Sequence, residues 1–184
     1  MDLLGDEFPY SLTALSGKHA LVCGASKGIG AATAKFLAKA GANVTVCARN
    51  TAALDELCKE LSSLGNGSHS SLTLDLEITE AIKPALETLI SNKGPIHILI
   101  NNAAGPKGGP LLGVELSDLE APFKRHLHAA HTMVQTVVSG MEAEGFGRII
   151  QIISTSVKEP IPNLGLSNTL RGAMASWSKT LSRE

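Results

Sequence analysis

Short apolar runs bounded by glycine or polar clusters alternate along this chain with longer stretches of helical periodicity. His19–Cys23 (HALVC) reads as a buried strand, and Ala31–Ala40 (AATAKFLAKA) as an alanine-rich helix stopped by Gly41. Asn43–Ala48 (NVTVCA) is a second strand. In Thr51–Leu64, the side chains of Leu54, Leu57, Leu61 and Leu64 mark one helical face, and Gly65 closes the element. Ser71–Leu76 (SLTLDL) alternates as a third strand. Thr79–Asn92 follows as a helix capped by Thr79, with Pro84 in its interior. Ile96–Asn101 (IHILIN) is a fourth strand, the glycine- and proline-rich Ala104–Gly113 a loop, and Ser117–Glu144 a long helix opened by a capping box of Ser117 and Glu120. Arg148–Ile153 is a fifth strand. Asn168–Glu184 is the last helix, with Met174, Trp177 and Leu181 on one side and small residues on the other. No repeat or linker interrupts the pattern, so residues 1–184 read as one domain.

Alternation of this kind predicts parallel strands joined by right-handed crossovers, an open α/β sheet with helices on both faces. Ligands of such sheets bind outside the carboxyl ends of the strands, near the point where the strand order switches. With 184 residues of which 43% are apolar, the chain can fill a core. Its 16 basic and 17 acidic residues give a net charge of −1, without the basic footprint of a nucleic-acid binder. The three cysteines form no CxxC spacing, and Cys23 and Cys47 fall inside apolar runs, as buried inert thiols do. A reducing compartment is expected. Met1–Leu15 carries Asp2, Asp6 and Glu7 without a basic start, so no signal peptide is expected there. No segment reaches the roughly 18 apolar residues of a membrane span, and the expected location is the cytoplasm, with no membrane partner.

Two strand ends carry chemistry. Gly24-Ala25-Ser26-Lys27-Gly28-Ile29-Gly30 directly follows the first strand and opens the first helix. Glycines at Gly24, Gly28 and Gly30 permit a tight turn and a close approach of backbone to a pyrophosphate, which then rests on the helix N-terminus beside Ser26, Lys27 and Ile29. At the end of the second strand, about 20 positions on, a free ribose 2′-hydroxyl is usually held by an acidic residue. Here that place holds Ala48 followed by Arg49. A cation there suits a 2′-phosphate, and Lys27 adds a second charge, so the cofactor expected is NADP(H) rather than NAD(H).

With these residues in order, followed by Asp75, by Asn101-Asn102-Ala103 after the fourth strand, and by Gly147-Arg148-Ile149-Ile150 leading to Ser154, the chain resembles a short-chain dehydrogenase/reductase of the NADP-preferring kind. The resemblance runs from about Lys18 to the end. It implies a Rossmann-like doubly wound fold, with Asp75 beside the adenine and Asn101 and Ala103 beside the adenosine ribose. Ala104 stands where the family usually has glycine. The family's chemistry uses an Asn, a Ser, a Tyr and a Lys, the tyrosine moving the proton while hydride moves at the nicotinamide.

Laid over this chain, that set departs from its pattern. Ser154 matches the serine, but thirteen residues on, in place of the tyrosine, stands Ser167, and four beyond that Arg171 replaces the lysine. His126 occupies the place of the Asn, and Tyr10, the one tyrosine, precedes the first strand. Arg171 stays protonated and cannot act as a base. His126 is the residue in reach that titrates near neutrality. Catalysis is therefore expected through His126 or a relayed water, with Ser154, Ser167 and Arg171 polarising a carbonyl. His126, His128 and His131 gather no further ligand in the sequence, and no metal site is expected.

Chains of this family usually continue through another strand and a substrate-covering segment. This one stops at Ser182-Arg183-Glu184, which leaves the expected fifth strand as an open edge and points to a longer protein or to cover by another copy. Ala129, Ala130, Met133, Val137, Ala173 and Ala175 put apolar and small residues on more than one side of the last two helices, as in a homodimer or homotetramer. The expected activity is reduction of a carbonyl, or oxidation of an alcohol, of a small or acyl-type substrate; within the family, 3-oxoacyl carrier-protein reductases are the nearest general resemblance. A catalytically silent NADP(H)-binding sensor or assembly subunit is the alternative, and a fragment that binds nothing alone a third reading.

Overall fold

A computed structural model describes residues 8–184. The first seven residues of the Met1–Leu15 segment lie outside them. Five strands, β1 (His19–Cys23), β2 (Asn43–Ala48), β3 (His69–Thr73), β4 (Ile98–Asn101) and β5 (Arg148–Gln151), form one parallel sheet in the order β3-β2-β1-β4-β5. The chain moves outward from β1 to β3, then returns to the other side of β1 through β4. The switch point therefore lies between β1 and β4, and the fold is Rossmann-like, as expected.

The two faces have separate cores. On one, α1 (Gly28–Lys39) and α2 (Thr51–Leu64) bury Ala34, Ala38, Leu54, Leu57 and Leu61 against Val22, Val44, Val46 and Ile100. On the other, α3 (Thr79–Lys93) and α5 (Ala129–Ala143) bury Ile82, Leu86, Met133 and Val137 against Leu21, Cys47 and Leu99, with Trp177 and Leu181 of α6 (Gly165–Leu181) packed at the margin. Continuous apolar runs such as Ala20-Leu21-Val22 belong to strands covered on both faces. Ala129, Ala130, Met133 and Val137, expected partly at an interface, are buried within the single chain.

Several boundaries differ from expectation for physical reasons. β3 spans His69–Thr73 rather than Ser71–Leu76, because its register with β2 ends where Thr73 meets Ala48. Leu74 and Leu76 are apolar because they pack on the core under α3 and α5, and both also border a cleft. Thr79 does not cap α3: Ile78 precedes it, and the nearby turn is held by the Asp75 carboxylate accepting from the Glu77 amide at 3.0 Å. The long helix is broken into α4 (Leu116–Phe123), a π turn over Lys124–His128, and α5. Pro122 lacks the amide that would continue the ladder, and the widened turn begins two residues later. Its N-terminus is capped through Glu115 and Asp118, the Asp118 carboxylate accepting from the Glu115 amide at 3.3 Å, rather than through Ser117 and Glu120. α6 starts at Gly165, three residues before the expected Asn168. β5 is the last strand of the sheet among the described residues, and Ile150 on it is 46% exposed.

Candidate active site

The carboxyl ends of β1, β2 and β4 enclose a cleft of about 770 Å³. Gly24, Ser26, Lys27 and Ile29 form one wall, Arg49 and Asp75 the far end, and Ala103 and Ala104 the side nearest β5. Gly24 and Gly28 both have φ of +58°, a conformation glycine adopts freely. A Cβ at Gly30 would stand 2.3 Å from the Gly24 carbonyl oxygen, so only glycine lets α1 begin so close to β1. No side chain caps α1 at Lys27. Its first amides open toward the cleft, where an anion would satisfy them. The cradle thus fits a pyrophosphate.

Arg49 and Asp75 face each other across the end of the cleft at 3.8 Å, and the arginine side chain is 68% exposed. A loose, solvated pair leaves the guanidinium available to a phosphate. Asn101, expected at the cofactor, does not line the cleft. It ends β4 opposite Gln151, and its neighbour Asn102 faces the cleft instead. Asn102 Nδ2 donates to the carbonyls of Cys23 and Gly24, both at 3.3 Å, and so ties the glycine turn to β4. Side chains alternate along the extended chain, and this parity selects the second asparagine. Arg125 also borders the cleft, a residue that sequence reasoning passed over.

Beside the cleft, toward β5, lies a knot of polar side chains. Arg171 of α6 is 9% exposed. One terminal nitrogen donates to the Ile152 carbonyl at 2.9 Å and to His126 Nδ1 at 3.4 Å, and the other donates to the Ala103 carbonyl at 3.5 Å. With Nδ1 accepting, His126 carries its proton on Nε2 and donates it to the Ala104 carbonyl at 3.0 Å. Arg125 donates to the same carbonyl at 3.0 Å and pairs with Glu77 through Nε at 2.8 Å. Burial, followed by the charge of Arg171, pushes the His126 imidazole down to about 4. The expectation of a neutral-pH proton donor there is corrected: the ring is neutral, buried, and engaged at both nitrogens.

Ser154, just past β5, accepts from the Ser156 amide at 3.1 Å. Ser167 is the third residue of α6, one turn before Arg171, and does not cap the helix, which Leu164 precedes. Tyr10 packs edge-on against Phe8, which in turn stacks near Phe36 in the last turns of α1, remote from this end of the sheet. Among the described residues, no group of three His, Cys, Asp or Glu could hold a metal, and no helix is long and apolar enough to cross a membrane.

A parallel sheet with a glycine cradle at its switch point and a basic residue after β2 defines a dinucleotide-binding protein. The chain belongs to the short chain dehydrogenase family, which it matches over residues 18–184. It is 27% identical over 173 residues to the ketoacyl reductase HetN of Nostoc, covering 94% of this chain and 60% of that protein. It is 33% identical over 171 residues to L-xylulose reductase of Mus musculus, covering 92% of this chain and 66% of that one. The solved L-sorbose reductase of Gluconobacter frateurii, complexed with NADPH and L-sorbose, superposes with a TM-score of 0.88 at 28% identity, covering 94% of this chain and 65% of that one. The chain therefore spans about three-fifths to two-thirds of the length of these relatives.

Proposed function

We propose that this chain binds NADP(H) and belongs to an oxidoreductase that reduces a carbonyl, or oxidises an alcohol, of a small or acyl-type substrate. The observation that carries the reading is the uncapped start of α1, set behind Gly24–Gly30 and opening on the same cleft as Arg49. Solved structures similar to this chain include an L-sorbose reductase complexed with NADPH and L-sorbose and a short-chain oxidoreductase in complex with NADP. Lys27 and Arg49 hold the 2′-phosphate and exclude the preference for a free ribose. Asp75 and Ala103 border the adenosine half, with Asn102 fixing the turn.

When bound, the reduced nicotinamide supplies the hydride. Ser154 and Ser167 donate to the substrate oxygen, and Arg171, bonded to the Ile152 and Ala103 carbonyls, braces the loops beside them. A relayed water passes the proton in from bulk solvent, since the serine hydroxyls are no net proton source and Arg171 keeps its own. His126 acts through Arg171, as a positioning residue. A cytoplasmic setting and assembly into a homodimer or homotetramer complete the proposal; the three free thiols fit the first. A second reading, a silent NADP(H)-binding subunit, is favoured by the hydrogen bonds that His126 and Arg171 give to the Ala104 and Ile152 carbonyls.

The test is a fluorescence titration with NADPH, followed by its oxidation against a panel of ketones and oxoacyl thioesters. Binding with turnover is the expected result. Binding without turnover on the whole protein selects the silent subunit, and absence of binding overturns both.

A further inference from the structure

Cys23 and Cys47 end neighbouring strands and stand directly opposite each other in the parallel ladder. Both belong to the core cluster that α3 and α5 form on the sheet, at 0% and 1% exposure. The thioether of Met133, from α5, lies 3.6 Å from the Cys23 Sγ. Three sulfurs from three elements thus gather under the glycine turn. Cys47 is also among the residues that border the cleft.

We propose that Cys23, Cys47 and Met133 form a binding site for a soft univalent cation of the Cu(I) and Ag(I) class. Thiol and thioether sulfurs are soft donors that such ions prefer, whereas magnesium and calcium demand oxygen. Zinc requires a fourth ligand, and no set of His, Cys, Asp or Glu completes one among the described residues. At metal–sulfur bonds of roughly 2.3 Å, three sulfurs around one ion stand about 4 Å apart. The 3.6 Å between Cys23 and Met133 needs little adjustment to reach that.

Charge decides the protonation. Burial penalises a net charge, so the favoured complex is neutral: one univalent ion, one thiolate, one thiol and one thioether. Binding then breaks the S–H bond of Cys47, forms a metal–sulfur bond, and releases one proton to solvent. Nothing is oxidised or reduced. With one proton released, affinity rises about tenfold per pH unit.

Ag(I) is the probe, because it does not oxidise thiols. Native mass spectrometry and calorimetry of the whole chain should find one tight ion per molecule, with the mass of one proton lost. Cys23→Ser and Cys47→Ser should each weaken binding at least about a hundredfold, and Met133→Leu, close in volume, about tenfold. Cys58→Ser should change nothing, because Cys58 sits on α2 against the opposite core. Circular dichroism and thermal melting establish that each variant folds, and where a serine variant does not, Met133→Leu and the pH slope decide. Binding that follows Cys58, that survives in Cys23→Ser or Cys47→Ser, that is unchanged in Met133→Leu, or that never reaches one tight equivalent overturns the proposal.

Discussion

The carboxyl end of the sheet holds two regions assembled from similar parts and left in opposite states. Over β1 and β2, the first turn of α1 has no side-chain cap, and Arg49 is tethered only by a loose 3.8 Å contact with Asp75. Over β4 and β5, Arg171, Arg125 and His126 give their hydrogen bonds to the carbonyls of Ile152, Ala103 and Ala104. Positive charge is present in both. A ligand is recruited by groups the fold leaves unsatisfied, and groups already paired with backbone act first as braces. The contrast separates a binding surface from a rivet between two loops.

The sharpest way to break that contrast is Gly30→Val. Its Cβ would lie 2.3 Å from the Gly24 carbonyl oxygen and 2.9 Å from Asn102 Nδ2, so the turn must open. NADPH affinity should fall by more than about a hundredfold in a fluorescence titration. Unchanged affinity would mean the phosphates do not rest there. Arg171→Met should show the reverse pattern. Three carbonyl and imidazole contacts lose their donor, and urea denaturation should report a loss of about 3 kcal/mol. NADPH affinity should move less than about threefold, since Arg171 does not border the cleft.

Acid probes the braced side as well. The His126 imidazole lies at about 4 when folded against 6.5 when unfolded, so the folded state disfavours its protonated form. Its contribution is fully present above about pH 6.5 and is lost as pH falls toward 4, reaching on the order of 3 kcal/mol. Burial pulls His19 and His69 down too, which adds loss in the same direction. Stability measured by denaturant at pH 7 and pH 5 should drop on acidification, and Arg171→Met, by relieving one source of the shift, should flatten the curve. The smallest effect sharpens the open side: Arg49→Ala should weaken NADPH about tenfold and leave NADH unchanged, and equal losses would remove Arg49 from 2′-phosphate recognition.

Much of the open region was legible along the chain. Gly24, Ser26, Lys27, Ile29, Arg49, Asp75 and Ala103 all border the cleft, because a strand, a glycine turn and a helix start are local features with local signals. Asn101 was chosen over Asn102 because adjacent identical residues differ only in which face of the chain they occupy. Arg125 was missed because its approach depends on the π turn that follows Pro122, where the helical periodicity gives no sign of a widened turn. His126 was read as a titrating group from its residue type, whereas burial and the charge of Arg171, 45 residues away, push its imidazole down.

The strands, the helices and the cradle follow from periodicity and turn chemistry, since these depend on neighbours a few positions apart. Which charges stay free, which become braces, and where Cys23, Cys47 and Met133 meet depend on contacts between elements far apart in the chain. Those are decided by packing, because burial and pairing set the protonation and availability of a side chain, and neither is written in the residue type alone.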